Sequence, residues 1–340
     1  MSPVMPRPSR RSLLRGLVLG GSAAFLSACD SPGRDDSSPT GRVVPDDPTT
    51  WPDDTELLVA ARQRIHAHLS MLRATRVPGR AKALDGRWET QIARIEQLIT
   101  LGGLALPPLE EPSLTDLPAD DEAGTTAPRQ DGDGDGDSDE AAATTSAGPE
   151  AIDVGRLLRA QLPSVVAEIA TSTPTNLAML VSLAAEQADS AHLLGARVDW
   201  APLTGPSGVH AVRVLQATRP AVFGLEVVAA RATGEERETY LGVLDQVRAL
   251  TRQLTTLAGE AAPAPPLGYD LPEPLEDADQ RKRLASSLVA DIAPATLQAA
   301  ERLVGRADQL MAAVRVVAEA TRWSRELGGP SEPFPGMTLP

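Results

Sequence analysis

The chain has 340 residues, of which 42% are apolar, 3% are aromatic and one is a cysteine. A single cysteine excludes an intrachain disulfide and any zinc or iron–sulfur site built on several cysteines. The net charge is −14, and no basic patch or stripe points to nucleic acid as a partner. Because Ala, Leu and Arg are abundant and aromatic residues are scarce, the composition predicts an all-α fold.

The first 28 residues have the pattern of a signal peptide. A basic stretch, Ser9–Arg15, is followed by an apolar run over residues 16–28. This run is shorter than the roughly 20 residues that a membrane-spanning helix needs, and a basic segment followed by a short apolar one is typical of export signals. The basic stretch resembles a twin-arginine export motif, in which Arg10 and Arg11 are the paired arginines.

The only cysteine lies where the apolar run ends. The sequence Leu26-Ser27-Ala28-Cys29 resembles a lipobox, at which bacteria attach lipid to the cysteine and cleave before it. This resemblance implies lipidation of Cys29 and anchoring to the outer face of the bacterial cytoplasmic membrane. The alternative is a plain signal peptide with an incidental cysteine. Residues 29–52, rich in Asp, Ser, Pro, Gly and Thr, then predict a lipidated cysteine and a flexible tether.

Residues 53–106 are predicted to form a helical hairpin. Apolar residues recur at helical spacing over 58–72 and again over 84–99, with Pro78 and Gly79 as the turn between them. Asp53 and Asp54 precede the first helix, and we expect them to cap it.

Residues 107–150 are predicted to be a disordered acidic linker, with thirteen acidic residues and one arginine. At its centre, the alternation of Asp and Gly over Asp131–Asp137 invites comparison with a calcium-binding loop. The twelfth position of such a loop would be Ala142, where a bidentate Glu is needed. A solvated, self-repelling spacer is therefore the preferred interpretation.

Residues 151–340 have the periodicity of six helices. Residues 151–206 are predicted to form a helical pair, at about 152–171 and 174–198, that packs on a bundle. Residues 207–340 are predicted to form that bundle. Its helices are expected at about 207–232, 235–258, 276–304 with an interruption near Pro294, and 305–327, and a Pro-rich connection crosses between the second and third. Long helices with one long connection are typical of a four-helix bundle with a crossover.

Four short stretches in the C-terminal part carry a family resemblance. They are Val227–Arg231, Pro265–Pro272, Thr321–Trp323 and Pro333–Gly336. In this order they resemble an uncharacterised ferritin-like domain family of actinobacterial lipoproteins, over about residues 208–338. The resemblance implies a ferritin-like four-helix bundle, here with extra N-terminal helices and disordered linkers. It implies no established activity.

The sequence offers no ligand set for a di-iron site, which needs Glu-x-x-His on two helices. The nearest pattern is Asp189-x-x-His192, and a helical projection places His192 at the edge of the apolar face and Asp189 mostly outside it. We therefore predict no catalytic, cofactor-binding or metal-binding residue. His66 faces away from its hairpin's apolar stripe, His68 sits at its edge and His210 starts a helix on its polar side.

Arg219 and Glu226 are the charged residues that the periodicity places among apolar neighbours. They could be a polar anchor in a ligand cavity or a structural ion pair, and the ion pair is the preferred interpretation because a lone buried charge is costly. The two charges are expected to satisfy each other or to reach a neighbouring helix.

These features together predict a cell-envelope lipoprotein without catalytic activity and without a cofactor. It would be held on the membrane by lipid on Cys29 and would serve an interaction or structural role, with another envelope protein as its partner. The alternative is a ferritin-like bundle that binds a metal or a small apolar ligand. A third possibility, calcium sensing by Asp131–Asp137, lacks the twelfth ligand.

Overall fold

A computed structural model describes residues 53–75, 79–111, 150–271 and 275–338. The α-helices in these ranges are α1 Thr55–Arg73, α2 Leu84–Leu101, α3 Ala151–Ile169, α4 Pro174–Leu193, α5 Val209–Arg231, α6 Gly234–Ala258, α7 Ala278–Ala290, α8 Ile292–Ala300 and α9 Ala307–Glu326. These ranges contain no β-strand, which confirms the predicted all-α class. The predicted signal peptide, tether, hairpin turn at Pro78 and Asp–Gly run lie outside the described residues.

The helix ends differ from the predicted ones where local chemistry intervenes. The helix predicted to reach Val198 ends at Leu193, because Gly195 takes a φ of 101° and closes a Schellman motif. In that motif the amide of Ala196 donates to the carbonyl of Ala191 at 2.9 Å. The interruption expected at Pro294 falls at Asp291 instead, since a proline is compatible with the first turn of α8.

Two cores meet at α8 and α9. One core is built by α1–α4 with α8 and α9, and the other by α5–α9. Val314 and Val317 of α9 lie in the first core, and Val316 and Trp323 lie in the second. Because α8 and α9 each bury residues in both cores, the N-terminal helices and the C-terminal helices share these two elements.

Helix α4 is buried on all sides. Every residue in 177–191 is buried except Ala178, which is half-buried. A helix covered all round is the central element of its domain. Any charged side chain on α4 must therefore find its partners inside the protein.

The N-terminal hairpin packs directly on the other helices. Leu58 of α1 and Ile95 of α2 belong to the first core, and Trp88 packs in a smaller cluster with Leu158 of α3. The chain stays attached beyond the predicted end of the hairpin at 106, since the Gln63 amide group makes two hydrogen bonds to the backbone of Glu110, at 2.8 and 3.1 Å.

Asp54 caps a different helix from the one expected. It is the N-cap residue of α1, but its carboxylate makes no capping bond there. It accepts hydrogen bonds from the Thr173 amide at 2.7 Å, the Thr173 hydroxyl at 2.5 Å and the Asn176 amide at 3.0 Å. Asp54 therefore caps α4, from 119 residues away in the chain.

We expect Asp54→Ala to lower the free energy of unfolding by about 1–2 kcal/mol, because the start of α4 loses its cap. Asp54 also has a φ of 65°, which favours glycine. Asp54→Gly should therefore cost less than Asp54→Ala. Denaturant unfolding measures both, with the exposed Asp53→Ala as the matched control. An Asp54→Ala variant as stable as the control would contradict the cap.

None of the described helices is long and apolar enough to cross a lipid bilayer.

Candidate functional site

Two acidic side chains lie inside the protein on α4. Glu186 is 1% exposed and Asp189 is 2% exposed. A buried carboxylate is costly unless cations or hydrogen-bond donors surround it. The residues around these two carboxylates are therefore the strongest candidates for a functional or structural centre.

Glu186 is held by groups from α2 and α4. Its Oε2 accepts from the indole Nε1 of Trp88 at 3.0 Å, and its Oε1 accepts from the Ser190 hydroxyl at 2.7 Å. The Nη1 atom of Arg87 lies 3.5 Å from the same Oε1 atom, which is an ion-pair distance. Both oxygens of this buried carboxylate thus have partners.

Asp189 joins the same network from the next turn of α4. Its Oδ2 accepts a hydrogen bond from Arg325 of α9 and lies 3.7 Å from Nη1 of Arg87. Its Oδ1 makes no hydrogen bond to a described residue. Two carboxylates face two guanidinium groups, so the formal charges of the network balance. We call Arg87, Glu186, Asp189 and Arg325 the buried charge network.

The network joins three parts of the chain. Arg87 comes from the hairpin helix α2, the carboxylates from α4 and Arg325 from α9. Burial raises the pKa of Glu186, and the positive charge of Arg87 partly opposes that rise. Removing Arg87 would therefore favour proton uptake by Glu186.

Beside Glu186 is a small, partly open cavity. Its volume is about 30 Å³, and its polar lining includes His68, Gln91 and Gln187. A cavity of this size holds roughly one or two water molecules. A carboxyl group with a raised pKa is a potential general acid, but this cavity has no room for an organic substrate beside it.

His68 is 3% exposed, although the sequence pattern places it at the edge of the apolar stripe. Its Nε2 hydrogen-bonds with Oε1 of Gln161 at 2.8 Å. Burial lowers the pKa of His68 to about 4. The ring is therefore neutral at pH 7 and donates from Nε2 to the amide oxygen.

The expectation that Asp189 points mostly outward is wrong. The helical projection assumed one apolar face, whereas α4 is enclosed on all sides and buries its polar positions too. His192 is half-buried, as its edge position suggests, and burial lowers its pKa.

The predicted interior pair of Arg219 and Glu226 is also wrong. Glu226 is exposed and pairs with Arg248 of α6 at 2.6 Å. Arg219 donates to the carbonyl of Pro263 at 2.8 Å. Helical periodicity predicts on which side of α5 the two side chains lie, but not which segment packs against that side. Glu226 lies against α6, and Arg219 lies against the connection that follows α6.

The remaining predicted positions form no ligand set. Among the residues that the structure describes, no three His, Cys, Asp or Glu side chains are close enough to hold a metal ion. His66 and His210 are both half-buried. The predicted lipidation site Cys29 and the paired Arg10 and Arg11 lie outside the described residues.

Sequence reasoning missed Arg87, Glu186 and Arg325. One signal for Glu186 was present, since Glu186 and Asp189 are the only acidic residues in the otherwise mostly apolar α4. Nothing in the local sequence of α2 or α9 marks Arg87 and Arg325 as their partners.

This fold and its balanced interior network define an all-α helical-bundle protein. Residues 211–339 match a family model described as Domain of unknown function (DUF4439). The matched segment runs from α5 to beyond α9, and α1–α4 precede it. Comparisons with curated proteins and with solved structures give no match.

Proposed function

We propose that this chain is an exported lipoprotein, anchored through Cys29 to the outer face of the bacterial cytoplasmic membrane. The observation that carries the proposal is the order of the paired Arg10 and Arg11, the apolar run and the lipobox-like Leu26–Cys29. The following 23 residues, up to Pro52, are polar and Pro-rich, which suits a tether between the membrane and α1.

We further propose that the helical body acts by binding another envelope protein and not by catalysis. Two observations support this proposal. The positive and negative charges of the buried charge network balance, and the cavity beside Glu186 has a volume of only about 30 Å³. Catalytic groups need a reacting atom within hydrogen-bond reach, in a space that admits it. Glu186 lacks such a space, and both buried carboxylates suit a role in holding the helices together.

A ferritin-like bundle over residues 207–340 belongs to the same proposal. The order of the helices supports it, since α5 and α6 are joined by a short turn and a long connection leads from α6 to α7. The pair α7–α8, separated only by Asp291, then takes the place of one long helix. A bundle with a crossover connection has this arrangement.

Cys29→Ser is expected to move the protein from the membrane fraction to the soluble fraction. Each buried CH₂ group of an acyl chain contributes about 0.8 kcal/mol to membrane binding, so loss of the acylated cysteine removes the anchor. Cell fractionation with a salt wash measures this, and Ser37→Ala in the predicted tether is the matched control. If the Cys29→Ser protein stays with washed membranes, the anchoring proposal fails.

A further inference from the structure

A second, larger cavity is lined in part by Asp189. It is a cleft of about 180 Å³ between α4, α6, α9 and the segment that follows α4. Its small apolar walls include Ala188 and Ala318, and the half-buried Trp200 adds an aromatic side chain. A cavity of about 150 Å³ accommodates benzene, so the cleft has room for one small ring and a polar group.

The acidic side chains of the cleft already have cations beside them. Asp189 is paired with Arg325, and Glu319 lies 3.4 Å from Nε of Arg315. Burial raises the pKa of Glu319, and the positive charge of Arg315 partly opposes that rise. These two carboxyl groups therefore leave little net negative charge to attract a cation.

The basic side chains of the cleft are less fully used. Arg322 is engaged with Gln246 at 2.7 Å and with Glu326 at 3.3 Å. Arg197 is exposed, and its guanidinium forms no hydrogen bond or ion pair with any residue in the described ranges. The cleft therefore has a free positive charge at Arg197.

Two further donors line the same cleft. Within the described part of the chain, neither the Trp200 indole N–H nor the His192 ring forms a hydrogen bond. Binding sites for small molecules typically combine apolar walls with a few convergent polar groups. Here the donors without partners are a guanidinium, an indole N–H and an imidazole, all of which can donate to an anion. Oδ1 of Asp189 also has no hydrogen bond to a described residue, but this oxygen is buried.

The geometry points to a binding site in this cleft for a small aromatic carboxylate of about the size of benzoate. Its carboxylate would lie at Arg197 with the donors of Trp200 and His192, and its ring would pack on the Trp200 indole. This site goes beyond the proposed function, since it depends neither on lipidation of Cys29 nor on a protein partner.

Calorimetric titration of the full chain in detergent micelles tests the site with three ligands of similar size. Benzoate carries the negative charge, benzamide is neutral and benzylamine is a cation. We expect benzoate to bind about tenfold more tightly than either of the others, because only benzoate pairs with the free guanidinium. Equal binding of benzamide or benzylamine, or no benzoate binding at about 10 mM, would overturn the proposal.

The variant Arg197→Gln tests whether benzoate binds in this cleft. Because the Arg197 side chain is exposed, the substitution leaves the core intact. We expect it to weaken benzoate binding about fivefold or more and to leave benzamide binding unchanged. Arg237→Gln, at an exposed arginine of α6 away from the cleft lining, is the matched control and should bind benzoate as the natural chain does. An Arg197→Gln variant with undiminished benzoate affinity would show that the cleft is not the site.

Discussion

Arg87→Met should lower the free energy of unfolding by about 3–5 kcal/mol, which is typical of removing one partner from a buried ion pair. Arg87 is the cation that reaches both buried carboxylates, at 3.5 Å from Glu186 and 3.7 Å from Asp189. Asp189 keeps Arg325 in the variant, whereas Glu186 keeps only the neutral donors Trp88 and Ser190.

The loss of stability caused by Arg87→Met should depend on pH. Without Arg87, the pKa of Glu186, already raised by burial, rises further. A carboxyl group whose folded pKa is raised binds a proton more tightly in the folded state. Its contribution to stability is present at low pH and is lost as the pH rises. The deficit of Arg87→Met relative to the natural chain should therefore be larger at pH 7 than at pH 5.

Denaturant unfolding at the two pH values measures the effect. Arg94→Met is the matched control, because Arg94 lies on the same helix and, among the described residues, its side chain hydrogen-bonds Gln97 alone. It should change stability by about 0.5 kcal/mol or less. The double variant Arg87→Met/Glu186→Gln should recover part of the loss, since no unpaired charge remains at Glu186. If Arg87→Met costs no more than the control, the network does not hold α2 to α4.

The second large effect concerns His68, whose burial lowers its pKa to about 4. The unfolded chain takes up this proton near pH 6.5, while the folded chain resists it. Stability is therefore lost as the pH falls from about 6.5 to 4. A pKa shift of this size corresponds to about 3 kcal/mol of the free energy of unfolding. The natural chain should lose this amount between pH 7 and pH 4, and a His68→Gln variant should not.

The measurement is the free energy of unfolding of both proteins at pH 7 and pH 4. The change in the free energy of unfolding of His68→Gln between the two pH values serves as the reference. All other titratable groups are present in both proteins, so the difference between them reports on His68. Glu186 contributes with the opposite sign, so the same comparison in a Glu186→Gln background separates the two residues. An equal loss of stability in the natural chain and the His68→Gln variant would contradict a buried neutral His68.

The sequence predicts the helices well because the periodicity of apolar residues is local. The bounds of α5 and α6 lie within two residues of the predicted 207–232 and 235–258. The same pattern fails on α4, where no solvent-exposed side exists and so Asp189 is buried against expectation.

Partners distant in the chain could not be predicted from any local pattern. Trp88 and Glu186 are 98 residues apart, and Asp54 and Thr173 are 119 apart. Which groups meet there depends on how the hairpin packs on α3 and α4. Glu226 shows the same limit, since its pairing with Arg248 depends on the position of α6.

The mass of the protein extracted from the membranes of its native host tests the central claim most directly. A lipoprotein anchored through Cys29 should give an N-terminal peptide that begins at Cys29 and is heavier by its acyl chains. An N-terminal peptide with an unmodified Cys29, or one that still contains Arg10 and Arg11, would contradict it.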